Sequence, residues 1–153
     1  MAFTIPVNLH PDLMPLAWLV GTWRGKGRGE YPNVPGFQFA QEVSFNHDGR
    51  AFLNYFSRSW IIDENDEIMR PAASEVGFWR IKEKNVLEVL LAHNTGIAEG
   101  WVGLVQGAKI QLAMDQGYSS PTAKIVTAGS RLYGLVEGEL FTSYDMAAQG
   151  QTL

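Results

Sequence analysis

Glycine recurs at every second position in the stretch Gly21-Thr22-Trp23-Arg24-Gly25-Lys26-Gly27-Arg28-Gly29-Glu30-Tyr31-Pro32. A period of two is the mark of a β-strand, whose successive side chains point to opposite faces. One face here carries Arg24, Lys26, Arg28 and Glu30, whereas Gly25, Gly27 and Gly29 strip the other of side chains. Glycine weakens a strand by losing packing and backbone entropy. Three on one face therefore predict either a sharp bend or a group from elsewhere lying against bare backbone. Curled and closed sheets need such places. Nucleotide binding is the competing explanation of a Gly-rich stretch, and it fails: the dinucleotide spacing, the Lys-Ser/Thr of a phosphate loop and a following helix are all missing.

The same alternation runs through the rest of the chain. Phe37, Phe39, Val43 and Phe45 lead to the hairpin turn Asn46-His47-Asp48-Gly49 and a return strand over 51–62. Further strands are predicted over 67–81, 86–93, 97–105, 108–115, 122–128, 130–136 and 139–147, broken by short polar or glycine-bearing turns. Connections this short join antiparallel neighbours. About ten strands are more than an open twisted sheet holds comfortably, so closure into a barrel follows. Ahead of them, Leu13, Leu16, Ala17 and Val20 recur at helical spacing, with Pro11 suited to the first turn and Pro15 interrupting it. The expected architecture is a single all-β domain over 1–153, an antiparallel barrel with a short N-terminal helical plug. Trp18 and Leu19 belong to the plug, and Trp23 to the core it covers.

Composition narrows the functions. The 153 residues contain no cysteine, which removes disulfides, thiolate metal sites and a thiol nucleophile together. A net charge of −4 without a basic cluster argues against nucleic acid or an anionic membrane as the main partner. No run approaches the roughly 20 apolar residues of a membrane span. The first residues show neither a basic leader nor an apolar core, and a cytoplasmic protein is expected. Ser57, Ser59 and Ser74 stand in no nucleophile motif, so no catalytic residue is assigned. Glu75 and Glu88 read as strand carboxylates that pin the barrel by hydrogen bonding. His10 and His47 read as surface residues, one ahead of the helix and one in a hairpin turn.

Gly21-x-Trp23-x-Gly25-x-Gly27 followed by Tyr31-Pro32 resembles the signature of the nitrobindin family, barrels similar to lipocalins and fatty-acid-binding proteins that in many members hold ferric haem. Ser74-Glu75-x-Gly77-Phe78, Leu91-Ala92-His93-x-Thr95-Gly96, Pro121-Thr122-Ala123-Lys124 and Tyr144-x-Met146-Ala147-Ala148-x-Gly150-Gln151-x-Leu153 follow in the family's order. The resemblance implies haem b as cofactor, binding of nitric oxide, and isomerisation of peroxynitrite to nitrate. It also implies that Ala72, Ala73, His93, Lys124 and Met146 line the cavity. Ala72 and Ala73 stand where members often carry a pocket histidine, and Lys124 is placed to reach a carboxylate or propionate. The family's axial histidine follows the Met146 to Leu153 run by a few residues. No metal ligand is therefore assigned, and the expected ligand is a small hydrophobic molecule. The alternative is a haem protein, a peroxynitrite isomerase, whose ligand-bearing segment lies past Leu153. A second copy of the chain is an open partner.

Overall fold

The computed structural model describes residues 5–31 and 34–148. A 3-10 helix, Pro11–Leu19, precedes nine strands: β1 (Gly21–Tyr31), β2 (Val34–Asn46), β3 (Phe52–Ile62), β4 (Ile68–Ile81), β5 (Val86–His93), β6 (Ile97–Gln106), β7 (Lys109–Ser119), β8 (Val126–Val136) and β9 (Glu139–Ala148). Each pairs antiparallel with the next in one sheet of order β1 to β9, curled into a nearly closed barrel. Nine strands replace the expected ten because 122–128 and 130–136 do not separate. Residues 120–125 are loop, and β8 runs through Gly129, whose missing side chain leaves room for the Trp101 ring.

Pairing explains two of the bare glycines. Gly27 lies opposite Phe39 and Gly29 opposite Phe37, and each ring occupies the place a side chain on that glycine would take. Gly25 faces open space. Gly21 enters β1 from the helix at φ +135°, a conformation few L side chains adopt. The motif is thus one turn glycine, two ring seats and one open position.

The plug forms as read, although as tight 3-10 turns, since Pro15 removes a donor and disfavours an α-helix. The His10 Nδ1 accepts from the Asp12 amide at 3.0 Å and caps the first turn. Leu13, Leu16 and Leu19 are fully buried beneath it. Trp23 is half-buried, packs on the same core and donates from Nε1 to the Leu19 carbonyl at 2.9 Å, fastening the first strand to the plug. Trp23→Ala is expected to lose about 3 kcal/mol, the lower end for a buried aromatic. The check is urea unfolding, and a loss below about 1 kcal/mol would place Trp23 outside the core.

Past the plug, the closed half is filled by aromatic rings. Phe45 meets Trp79 edge-on at 5.1 Å, and Trp79 meets Tyr133 in the same way at 4.9 Å. Such geometries add to the burial of the rings themselves. Leu53, Leu87, Val89, Trp101 and Ile110 complete the layer with almost no exposure. No helix among the described residues is long and apolar enough to cross a membrane.

Candidate functional site

At mid-height the filling changes from aromatic to charged. Strand alternation turns Tyr55 and Ser57 of β3, Glu75 of β4, Leu91 and His93 of β5, Glu99 and Trp101 of β6, and Arg131 and Tyr133 of β8 to the same interior. Arg131 forks onto Glu75, donating from Nη1 to Oε1 and from Nη2 to Oε2, both at 2.9 Å. Nη1 also donates to the Tyr133 hydroxyl at 3.1 Å, and the Tyr55 hydroxyl donates to Glu75 Oε1 at 3.0 Å. The guanidinium lies over the Trp101 ring at 4.7 Å and the Tyr144 ring at 4.1 Å. A bidentate arginine is the strongest partner a buried carboxylate can have.

His93 joins the cluster from the side. Its Nε2 is 2.6 Å from Glu99 Oε1, which also accepts from Trp101 Nε1 at 3.1 Å. Its Nδ1 is 3.6 Å from Glu75 Oε2, beyond hydrogen-bonding range. Side-chain exposure divides the group: 14% for both His93 and Glu75, against 1% for Glu99 and 3% for Arg131. Glu75 and His93 thus form the accessible edge, with Glu99 and Arg131 behind. Glu99 Oε2 and Arg131 Nε have no hydrogen-bond partner among the described residues.

Burial pushes the Glu75 carboxyl up, but the Arg131 guanidinium outweighs it and holds the group below the ordinary carboxylate value. Burial pushes the Tyr55 and Tyr133 hydroxyls up, so both serve as neutral hydrogen-bonding groups. The layer is a charged floor on which the open half of the barrel rests. Above it, Phe37, Phe39 and Gln41 of β2 and Met114 of β7 are only half-buried.

The sequence-derived residues are scattered around this floor. Ala72 is half-buried and Ala73 exposed on β4, where the Ala73 backbone exchanges hydrogen bonds with the Ser59 hydroxyl. Lys124 is exposed in the loop before β8 rather than on a strand, because that strand starts only at Val126. Met146 is carried by β9, and its side chain lies outside the described residues. Glu88, read as a candidate buried carboxylate, faces outward: alternation from buried Leu87 and Val89 turns it to solvent, 3.6 Å from Arg80. His10 and His47 each accept a local backbone amide at Nδ1. Sequence reading missed Glu99, Arg131 and the two tyrosines. The available signal was register, since Glu99-x-Trp101 and Arg131-x-Tyr133 put a charge in phase with a large aromatic.

The open half thus sets half-buried aromatic and thioether side chains, Phe37, Phe39 and Met114, above a polar floor, a lining chemically compatible with a flat apolar ligand that carries polar groups. Of the chain's three histidines, His93 alone joins the interior cluster, and its Nε2 is committed to Glu99.

A nearly closed antiparallel barrel with a charged layer across its interior is the class these features define. The chain matches the THAP4-like, heme-binding beta-barrel domain over residues 12–153 and belongs to that family. It is 52% identical over 153 residues to a peroxynitrite isomerase of Nocardioides sp., covering all of this chain and 93% of that protein. It is 41% identical over 138 residues to a ferric nitrobindin-like protein of Streptomyces griseus, covering 89% and 73%. The crystal structure of Rv2717c from M. tuberculosis superposes with a TM-score of 0.82 at 36% identity, over 94% of this chain and 91% of that one.

Proposed function

We propose that residues 1–153 form a single barrel domain that binds ferric haem in its open half and isomerises peroxynitrite to nitrate. The observation that carries this reading is the 52% identity, across the whole chain, to a peroxynitrite isomerase. Haem supplies the iron at which such an anion rearranges, and the protein supplies enclosure and orientation. Phe37 and Phe39, seated against the glycine face of β1, form an apolar wall and keep water from one side. The Arg131–Glu75 fork holds the floor in a fixed charge state beneath it. His93, Ala72, Ala73, Lys124 and Met146 stay candidates for ligand contact.

A second reading is favoured by the commitment of His93 Nε2 to Glu99: the same space takes a small hydrophobic molecule, or haem by burial alone. Titration of the purified chain with ferric haem separates the two. One-to-one saturable uptake with a sharp Soret band, and faster peroxynitrite decay in the loaded protein, are expected. A parallel protein extended past Leu153 with the C-terminal residues of the Nocardioides relative tests where the axial ligand comes from. Broad, non-saturating uptake by both proteins would overturn haem binding and leave the hydrophobic-ligand reading.

A further inference from the structure

The Glu99–His93 pair has the construction of a working imidazole. Glu99 Oε1 accepts from Trp101 Nε1, and an ionised carboxylate, which only accepts, would place the ring proton of His93 on Nε2, 2.6 Å away. In the neutral ring the lone pair then belongs to Nδ1. That atom makes no hydrogen bond among the described residues and belongs to the accessible edge of the floor, 3.6 Å from Glu75 Oε2. A carboxylate behind an imidazole fixes its tautomer and orientation, and stabilises the imidazolium once a proton arrives. Among the described residues, Glu75 of β4 and Glu99 of β6 face the ring, Arg131 of β8 offsets them, and Tyr55, Tyr133 and Tyr144 stand neutral around the charged group.

We infer that Glu99 and His93 form a base dyad that takes the proton from a small, weakly acidic molecule entering the open half, the protonated form of a peroxynitrite-type oxyacid. The O–H bond breaks, its electron pair stays on the departing anion, and the proton bonds to the Nδ1 lone pair, giving an imidazolium held by Glu99. No oxidant or reductant is consumed. Glu99 acts here as a positioning residue, and His93 as the group that touches the substrate. The inference rests on the proposed haem function only for where the anion goes next.

Two measurements test it. In the haem-free protein, nitrogen NMR of the imidazoles is expected to show His93 protonated at Nε2 and bare at Nδ1, and Glu99→Gln to disturb that tautomer. A ring protonated at Nδ1, or at both nitrogens across neutral pH, would overturn the dyad. In the ferric haem complex, hydrogen cyanide must lose its proton to bind, whereas azide is already an anion at neutral pH. His93→Gln is expected to slow cyanide association about 10²-fold, the scale of a lost general base, and to leave azide association unchanged. Glu99→Gln should slow cyanide by a smaller factor. Equal slowing of both anions would show a structural role only, and no slowing would remove His93 from proton transfer. Failure of the unaltered chain to take up haem would instead refute the haem reading, with the tautomer result still standing.

Discussion

Arg131→Met is expected to destabilise the barrel by about 3–5 kcal/mol at neutral pH, the cost of leaving one member of a buried ion pair without its partner. The Glu75 carboxylate is held on both oxygens by Arg131, with Tyr55 its remaining donor. Methionine fills much of the volume and keeps contact with Trp101, so the loss is electrostatic rather than a cavity. The pH dependence carries the sharper signature. In the parent, the folded carboxyl titrates below its unfolded value, so the pair's stabilisation is present above the unfolded carboxylate range and is lost as pH falls through the folded value. In Arg131→Met burial, the largest influence on Glu75, is opposed only by His93 and the Tyr55 hydrogen bond, so the folded value rises and acidification costs the variant less than the parent. The deficit between variant and parent should therefore shrink as pH is lowered from 7 toward 4. Urea unfolding at several pH values measures it. A deficit that stays constant with pH would mean that Glu75 is not the group left behind.

That network was only half legible in the sequence. Alternation located the strands because one face of each is buried and hydropathy reports that face. It leaves Glu99 and Arg131 unmarked, since a charged residue in a strand is ordinarily an outward one. Only pairing across β4, β5, β6 and β8 brings Glu75, His93, Glu99 and Arg131 together, and no local pattern encodes partners up to 56 residues apart. Glu75 was found because hydrogen bonding of a buried carboxylate can be argued from one residue. Glu88 was misplaced for the same reason, its outward register becoming plain only once Leu87 and Val89 are seen in the core. The glycine motif was legible in kind, as a place for close approach. The partner rings, Phe37 and Phe39, lie across a strand pairing that sequence alone leaves unregistered.

The second large effect comes from a different glycine. A side chain on Gly27 or Gly29 would meet a phenylalanine ring, and a ring can swing aside toward the open half. On Gly77 of β4 it would meet the Leu90 carbonyl and the Leu91 Cα of β5, which are backbone atoms fixed by the ladder from Glu75↔His93 to Ile81↔Leu87. Gly77 also lies between Glu75 and Trp79 on the interior face, so any shift there moves the charged floor against the aromatic layer. Gly77→Val is therefore expected to cost at least about 3 kcal/mol, the upper end for overpacking, and Gly27→Val about 1–2 kcal/mol. Gly25→Val, with nothing within 4 Å, serves as the control and should change stability little. Lys26→Val, on the outer face, loses only a surface pair with Asp66 and should cost under about 1 kcal/mol. Thermal and urea unfolding of the four variants give the order directly. If Gly27→Val proves as costly as Gly77→Val, the phenylalanine ring is as immovable as the strand backbone, and the bare face of β1 is a fixed seat rather than an adjustable wall.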